Sequence, residues 1–166
     1  MRQEVREEKP TVFFAREVHQ ITLVLGKFLQ KSRAETVLLV DAAGHLVARQ
    51  GHTSPASEDT ITALVAGTYA ASQAMAQMLG AKEFSSIVPC GESRHLMILR
   101  AGDHALLAVT FTDESSDTLI RTYALDVIRR LEGLYARPGA TGSPDEKIER
   151  KEFDKGIDGA LDGVFG

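Results

Sequence analysis

The sequence predicts an α+β fold, a five-stranded antiparallel sheet sandwiched by helices in the order α-β-β-α-β-β-β-α. Three observations predict it. Apolar residues recur at spacings of three and four in three separate segments, which marks helices. Short apolar runs rich in Val, Leu and Ile fall between them, which marks strands. Those runs are joined by turns too short to cross over a sheet, so neighbouring strands run antiparallel. At 166 residues with 43% hydrophobic and 25% charged residues, one domain accounts for most of the chain and buries enough surface to need no cross-link.

In the first helix Phe14, Val18, Ile21, Leu25 and Phe28 share a face, and Pro10 suits its first turn. It ends near residues 31–33. Residues 36–40 are apolar throughout, as expected of a strand covered on both sides, and Asp41-Ala42-Ala43-Gly44 turns the chain into a second strand over 46–48. Gly44 is free to take positive φ there. Ser57 suits the cap of a second helix running to residue 79, with Gly80 ending it. Strands over 86–88, 94–99 and 105–111 follow, with turns at Pro89-Cys90-Gly91 and Ala101-Gly102-Asp103. Ser115 or Ser116 caps the third helix, whose apolar face is Ile120, Tyr123, Val127, Leu131 and Leu134. Pro138-Gly139 ends it.

Composition divides the chain into a charged N-terminal arm (1–9), a folded domain (10–137) and a C-terminal tail (138–166). The arm mixes charges of both signs and has no apolar core region, so it does not read as a secretory signal. The tail opens with a Gly/Ser/Pro tether. Within it Phe153, Ile157, Leu161 and Phe165 recur every four residues, with Asp154, Asp158 and Asp162 beside them. Glycines 156, 159 and 163 weaken any helix there. The net charge of −4, with scattered Lys and Arg, disfavours nucleic acid as a partner. A single cysteine, Cys90, points to the reducing cytoplasm.

The second helix is the most informative stretch, because residues 60–81 carry no charge. A helix with one face in water normally shows a charged side. On a helical projection Ile61, Leu64, Val65, Thr68, Met75 and Leu79 fall together, and we expect them on the sheet. Ala63, Ala66, Gly67, Ala70, Gln73, Ala74 and Gln77 fall opposite, and an uncharged small-residue stripe fits a protein interface. Burial on both sides within the fold, or an Ala-rich surface chosen for helix propensity, accounts for the stripe less well. The segment is long enough to span a membrane but too polar to insert.

Catalytic constellations are missing: there is no phosphate-binding loop, dinucleotide fingerprint, nucleophile elbow or zinc-protease motif. No metal or cofactor is expected. The five histidines lie in different elements, and His45 and His104 read as solvated turn residues. Cys90 reads as a partly buried, inert thiol. Arg49, Arg94 and Arg100 lie at or near strand ends, where arginines are usually solvated or paired with carboxylates.

The Val40-Asp41-Ala42-Ala43-Gly44 hairpin, the Leu64-Val65-Ala66-Gly67 and Gln73-Ala74-Met75-Ala76 stretches of the second helix, and the strand ending at Phe111 together resemble the roadblock/light-chain-seven family, in particular its bacterial MglB-type branch. The resemblance spans residues 10–137. It implies a homodimer with the second helices laid against each other, a small Ras-like (MglA-type) GTPase bound across that surface, and a role in bacterial cell polarity or motility. It further implies GTPase activation by remodelling the GTPase rather than by a donated arginine finger, so that the chain is no enzyme itself. The implied contact stripe is Ala63, Ala66, Gly67, Ala70, Gln73, Ala74 and Gln77, and the implied tail contacts to the GTPase are Phe153, Ile157, Leu161 and Phe165. A non-catalytic adaptor of the same fold, scaffolding a GTPase or a kinase, is the alternative. A small-ligand sensor is a third reading, and it requires a pocket with convergent polar groups.

Overall fold

The computed structural model describes residues 15–52 and 55–135. Its elements are α1 (Ala15–Ser32), β1 (Thr36–Asp41), β2 (Leu46–Gly51), α2 (Pro55–Met78), β3 (Ser86–Ile87), β4 (Arg94–Ala101), β5 (Ala105–Thr112) and α3 (Asp117–Tyr135). The charged arm, Pro10 and Phe14, the Pro138-Gly139 stop and the whole tail lie outside the described residues.

The strands form one sheet in the order β2-β1-β5-β4-β3, and every neighbouring pair is antiparallel. The central β1 is buried along its whole length, which explains a run that is apolar at every position except its ends. Side chains alternate between the two faces of a strand, so odd and even positions of β1 enter different cores. Val37 and Leu39 join Ile21, Leu25, Phe28, Leu107, Val109, Phe111, Ile120 and Leu131 beneath α1 and α3. Leu38 and Val40 join Val65, Ile98, Leu106 and Ala108 beneath α2.

Local chemistry sets the ends of the elements. Ser116 is the cap of α3, its Oγ accepting the Leu119 N–H at 3.2 Å. Ser115 does something else. It is buried, and its hydroxyl lies 3.2 and 3.1 Å from the carbonyl oxygens of Ser32 and Arg33, where it satisfies the C-terminal end of α1. Gly80 ends α2 at φ +74°, with the Ala81 N–H bonded back to the Ala76 carbonyl at 2.9 Å. The expected start of α2 is corrected: the helix begins at Pro55, whose fixed φ suits a first turn, so Ser57 lies inside the helix.

Candidate functional site

The α2 helix crosses the β1–β2 side of the sheet. Its inward face is Thr62, Val65, Ser72 and Ala76, all buried, with Ile61, Ala66 and Tyr69 half-buried beside them. This corrects the expected facing by about a quarter turn. Leu64, Met75 and Leu79 do not pack on the sheet; they are 65%, 53% and 76% exposed, as is Met78 at 87%. Thr68 is exposed with them.

Two features explain the rotation. The hydroxyls of Thr62 and Ser72 bond to carbonyls of their own helix, Asp59 at 3.1 Å and Tyr69 at 2.7 Å. With their polar groups satisfied locally, both side chains bury at little cost. The β1–β2 turn also comes very close to α2: a Cβ on Gly44 would lie 3.2 Å from the Ala63 backbone. Small residues face this approach, and bulky ones are turned away from it.

Of the predicted stripe, Ala63, Gly67, Ala70, Ala74 and Gln77 are exposed on one side of α2. Ala66 is half-buried against the sheet. Gln73 is half-buried as well, with Nε2 3.5 Å from the Phe84 carbonyl oxygen. The exposed face is therefore broader and more apolar than the stripe, combining Ala and Gly with Leu64, Met75 and Met78 and carrying no charge over residues 60–78. Sequence periodicity missed these large residues because α2 is uncharged on every side from residue 60 onward, and the usual polar marker of the outer face is missing.

The arginines at the strand ends are all held by carboxylates. Arg49 Nη1 lies 2.6 Å from Glu58 Oε1, and Arg94 Nε lies 3.4 Å from Glu35 Oε2. Arg100 bridges Glu83 at 2.7 Å and Asp103 at 2.5 Å, and it donates to the Gly102 carbonyl at 2.9 Å. The hydrogen bond that Arg100 donates to the Glu83 carboxylate holds the guanidinium charged above its ordinary range. Burial pushes the nearby Tyr69 hydroxyl upward.

The histidines stay apart. His45 and His104 are exposed at turns, the former with Nδ1 3.1 Å from Asp41 Oδ2. His95 packs on the Phe111 ring and lies 2.6 Å from Asp113 Oδ1. Cys90 is exposed, which corrects the expected partial burial. Among the described residues no group of three or more His, Cys, Asp or Glu is placed to hold a metal ion, and no helix is long and apolar enough to cross a membrane. An open cleft of about 800 Å³ lies beside the start of α2, lined by Thr36, His52, Ser57, Arg94 and Thr110 among others. Within it Thr36 Oγ1 bonds to the His52 carbonyl at 3.1 Å and Arg94 pairs with Glu35, while the buried Nδ1 of His95 has no hydrogen-bond partner among the described residues.

Three helices around a five-stranded antiparallel sheet, with an apolar, charge-free outer face on α2, define the class of domain to which these residues belong. The Roadblock/LC7 domain family matches residues 20–111, and the chain belongs to that family. No curated protein matches the chain in sequence. Among solved structures it is similar to the gliding protein MglB of Thermus thermophilus, with 29% identity and a TM-score of 0.68 over 74% of this chain and 94% of that one. It is also similar to Myxococcus xanthus MglB, with 26% identity and a TM-score of 0.69 over 75% and 93%. An MglB structure in a tetrameric arrangement matches with 28% identity and a TM-score of 0.69 over 74% and 93%.

Proposed function

We propose that the chain is a homodimeric activator of a small Ras-like GTPase of the MglA type, serving bacterial cell polarity or motility. In this reading it accelerates GTP hydrolysis by reshaping the GTPase and has no active site of its own. The observation that carries the reading is the outer face of α2, where Leu64, Met75, Met78 and Leu79 stand in solvent with no charge among them. A monomer in water rarely keeps such a patch uncovered. Pairing of two α2 helices covers part of it, and Ala63, Gly67, Ala70 and Ala74 let backbones approach closely. The likeness to MglB supports the same assignment, and the tetrameric arrangement of one MglB structure shows that this relative self-associates.

The arginine geometry favours remodelling over a donated side chain. Each of Arg49, Arg94 and Arg100 is engaged by a carboxylate of its own chain, so extending one into a partner means breaking an existing pair. The test is GTP turnover by an MglA-type GTPase with and without this protein. Acceleration that saturates with added protein supports activation. Binding without acceleration points instead to the adaptor reading, in which the same face scaffolds the GTPase.

A further inference from the structure

On the opposite side of the sheet from α2, a shallow groove runs between α1 and α3, with Val24, Phe28, Tyr123 and Val127 along its floor, Lys27 and Lys31 along the α1 rim and Asp126 and Arg130 along the α3 rim. The rim on α1 is strongly basic. Arg16, Lys27 and Lys31 are exposed, and none of them forms an ion pair among the described residues. Leu23 precedes Lys27 by one helical turn and is 55% exposed. Leu119, one turn before Tyr123, extends the apolar line on α3 and is also exposed. On the α3 rim Arg130 is paired with Asp126 at 3.0 Å, so the positive charge without a partner among the described residues lies on the α1 rim, at Lys27 and Lys31. A groove with an apolar floor and that one basic rim calls for an occupant that is apolar on one side and acidic on the other.

The same chain carries such a segment. At residues 153–165, Phe153, Ile157, Leu161 and Phe165 repeat every four residues, and Asp154, Asp158 and Asp162 repeat at the same pitch. Lys27 and Lys31 are also four apart, so acidic and basic rows match turn for turn when two helices lie side by side. Reach is ample. The described chain ends at Tyr135 on α3 itself, about 18 Å along the helix from Tyr123, and the residues from 135 to 153 span up to roughly 60 Å when extended.

We propose that residues 153–165 dock in cis along the α1–α3 groove, the four apolar residues against its floor and the three aspartates beside Lys27 and Lys31. Docking there covers the basic rim and leaves the α2 face open, and a segment held in this way reaches a partner only after release. The inference is independent of the GTPase reading, because its test contains no GTPase.

The test uses the full chain. Carbodiimide coupling joins a lysine amine to a carboxylate only where the two touch, and exchange of unlabelled with nitrogen-15-labelled chains separates links within one chain from links between chains. The expected result is Lys27 or Lys31 joined to Asp154, Asp158 or Asp162 within a single chain. Links between differently labelled chains would instead assign the groove to a second copy's tail, and links to Glu4, Glu7 or Glu8 would assign it to the N-terminal arm. The absence of any link between α1 and the tail overturns docking altogether. In parallel, Lys27→Glu with Lys31→Glu, both at exposed positions that leave the fold intact, is expected to speed amide exchange of residues 153–165 about tenfold, equivalent to one decade in the docking equilibrium. Adding Asp154→Lys, Asp158→Lys and Asp162→Lys is expected to restore protection. Exchange that is unchanged in the lysine pair contradicts the charge match.

Discussion

Asp41 and Gly44 explain why the motif at the β1–β2 turn needs those two residue types. Asp41 is buried, and its Oδ1 accepts the N–H groups of Ala43 at 3.0 Å and His45 at 2.8 Å. The carboxylate thus satisfies donors that the turn removes from the sheet ladder. Gly44 sits at φ +91° with the α2 backbone almost against it, so a side chain there meets both conformational strain and a steric wall. Gly44→Ala is expected to destabilise the fold by about 1–3 kcal/mol, as read by denaturant unfolding. Gly133, within α3 and with nothing within 4 Å of an added Cβ, is the contrast: Gly133→Ala is expected to stabilise by about 0.5–1 kcal/mol. The turn and the positive φ were legible in the sequence. The close approach to Ala63 was not, because a long-range contact leaves no local pattern.

Among the elements, the strands and the helix order were readable because tight turns, short apolar runs and helical spacing are local signals. The facing of α2 was not. Its inner surface contains Thr62, Ser72 and Ala76, and a projection weighted by size placed Leu64, Met75 and Leu79 there instead. The deciding facts were self-satisfied hydroxyls and the space left by Gly44, both properties of the folded state. The outcome strengthens the interface argument, since the exposed side now holds the large apolar residues as well as the small ones. Ala70 is exposed on that side. Ala70→Arg is therefore expected to leave the unfolding free energy of an isolated protomer within about 0.5 kcal/mol of the parent, while placing a long charged chain where a partner packs. Light scattering coupled to size exclusion is expected to show about twice the mass of one chain for the parent at micromolar concentration. For the variant, either the dimer or GTPase binding is expected to be lost, because a charge buried without a partner costs several kcal/mol. A parent that runs as a monomer contradicts the assignment of the α2 face.

At the scale of the whole molecule, the sheet separates two surfaces of opposite character: a charge-free face on α2 and, between α1 and α3, a groove with a lysine-bearing rim on α1. The first suits stable pairing and a protein partner, and the second suits a reversible, salt-sensitive contact. The strand-end arginines belong to neither surface, since their carboxylate partners hold them at the sheet margins. This arrangement separates two mechanisms of GTPase activation. A donated arginine is worth about 10³ to 10⁵ in hydrolysis rate, so its removal abolishes nearly all acceleration. Reshaping of the GTPase spreads the effect over an extended contact, and no single arginine carries it. Arg49→Ala, Arg94→Ala and Arg100→Ala are each expected to retain acceleration within about tenfold of the parent, a loss of no more than about 1.4 kcal/mol. Circular dichroism and the oligomeric state serve as checks that each variant remains folded, which matters most for Arg49, because its removal leaves the largely buried Glu58 carboxylate without that partner. Single-turnover GTP hydrolysis at saturating protein is the measurement, since it separates the chemical step from weakened binding. A loss of three decades or more in one folded variant identifies that residue as a donated arginine and overturns the remodelling mechanism.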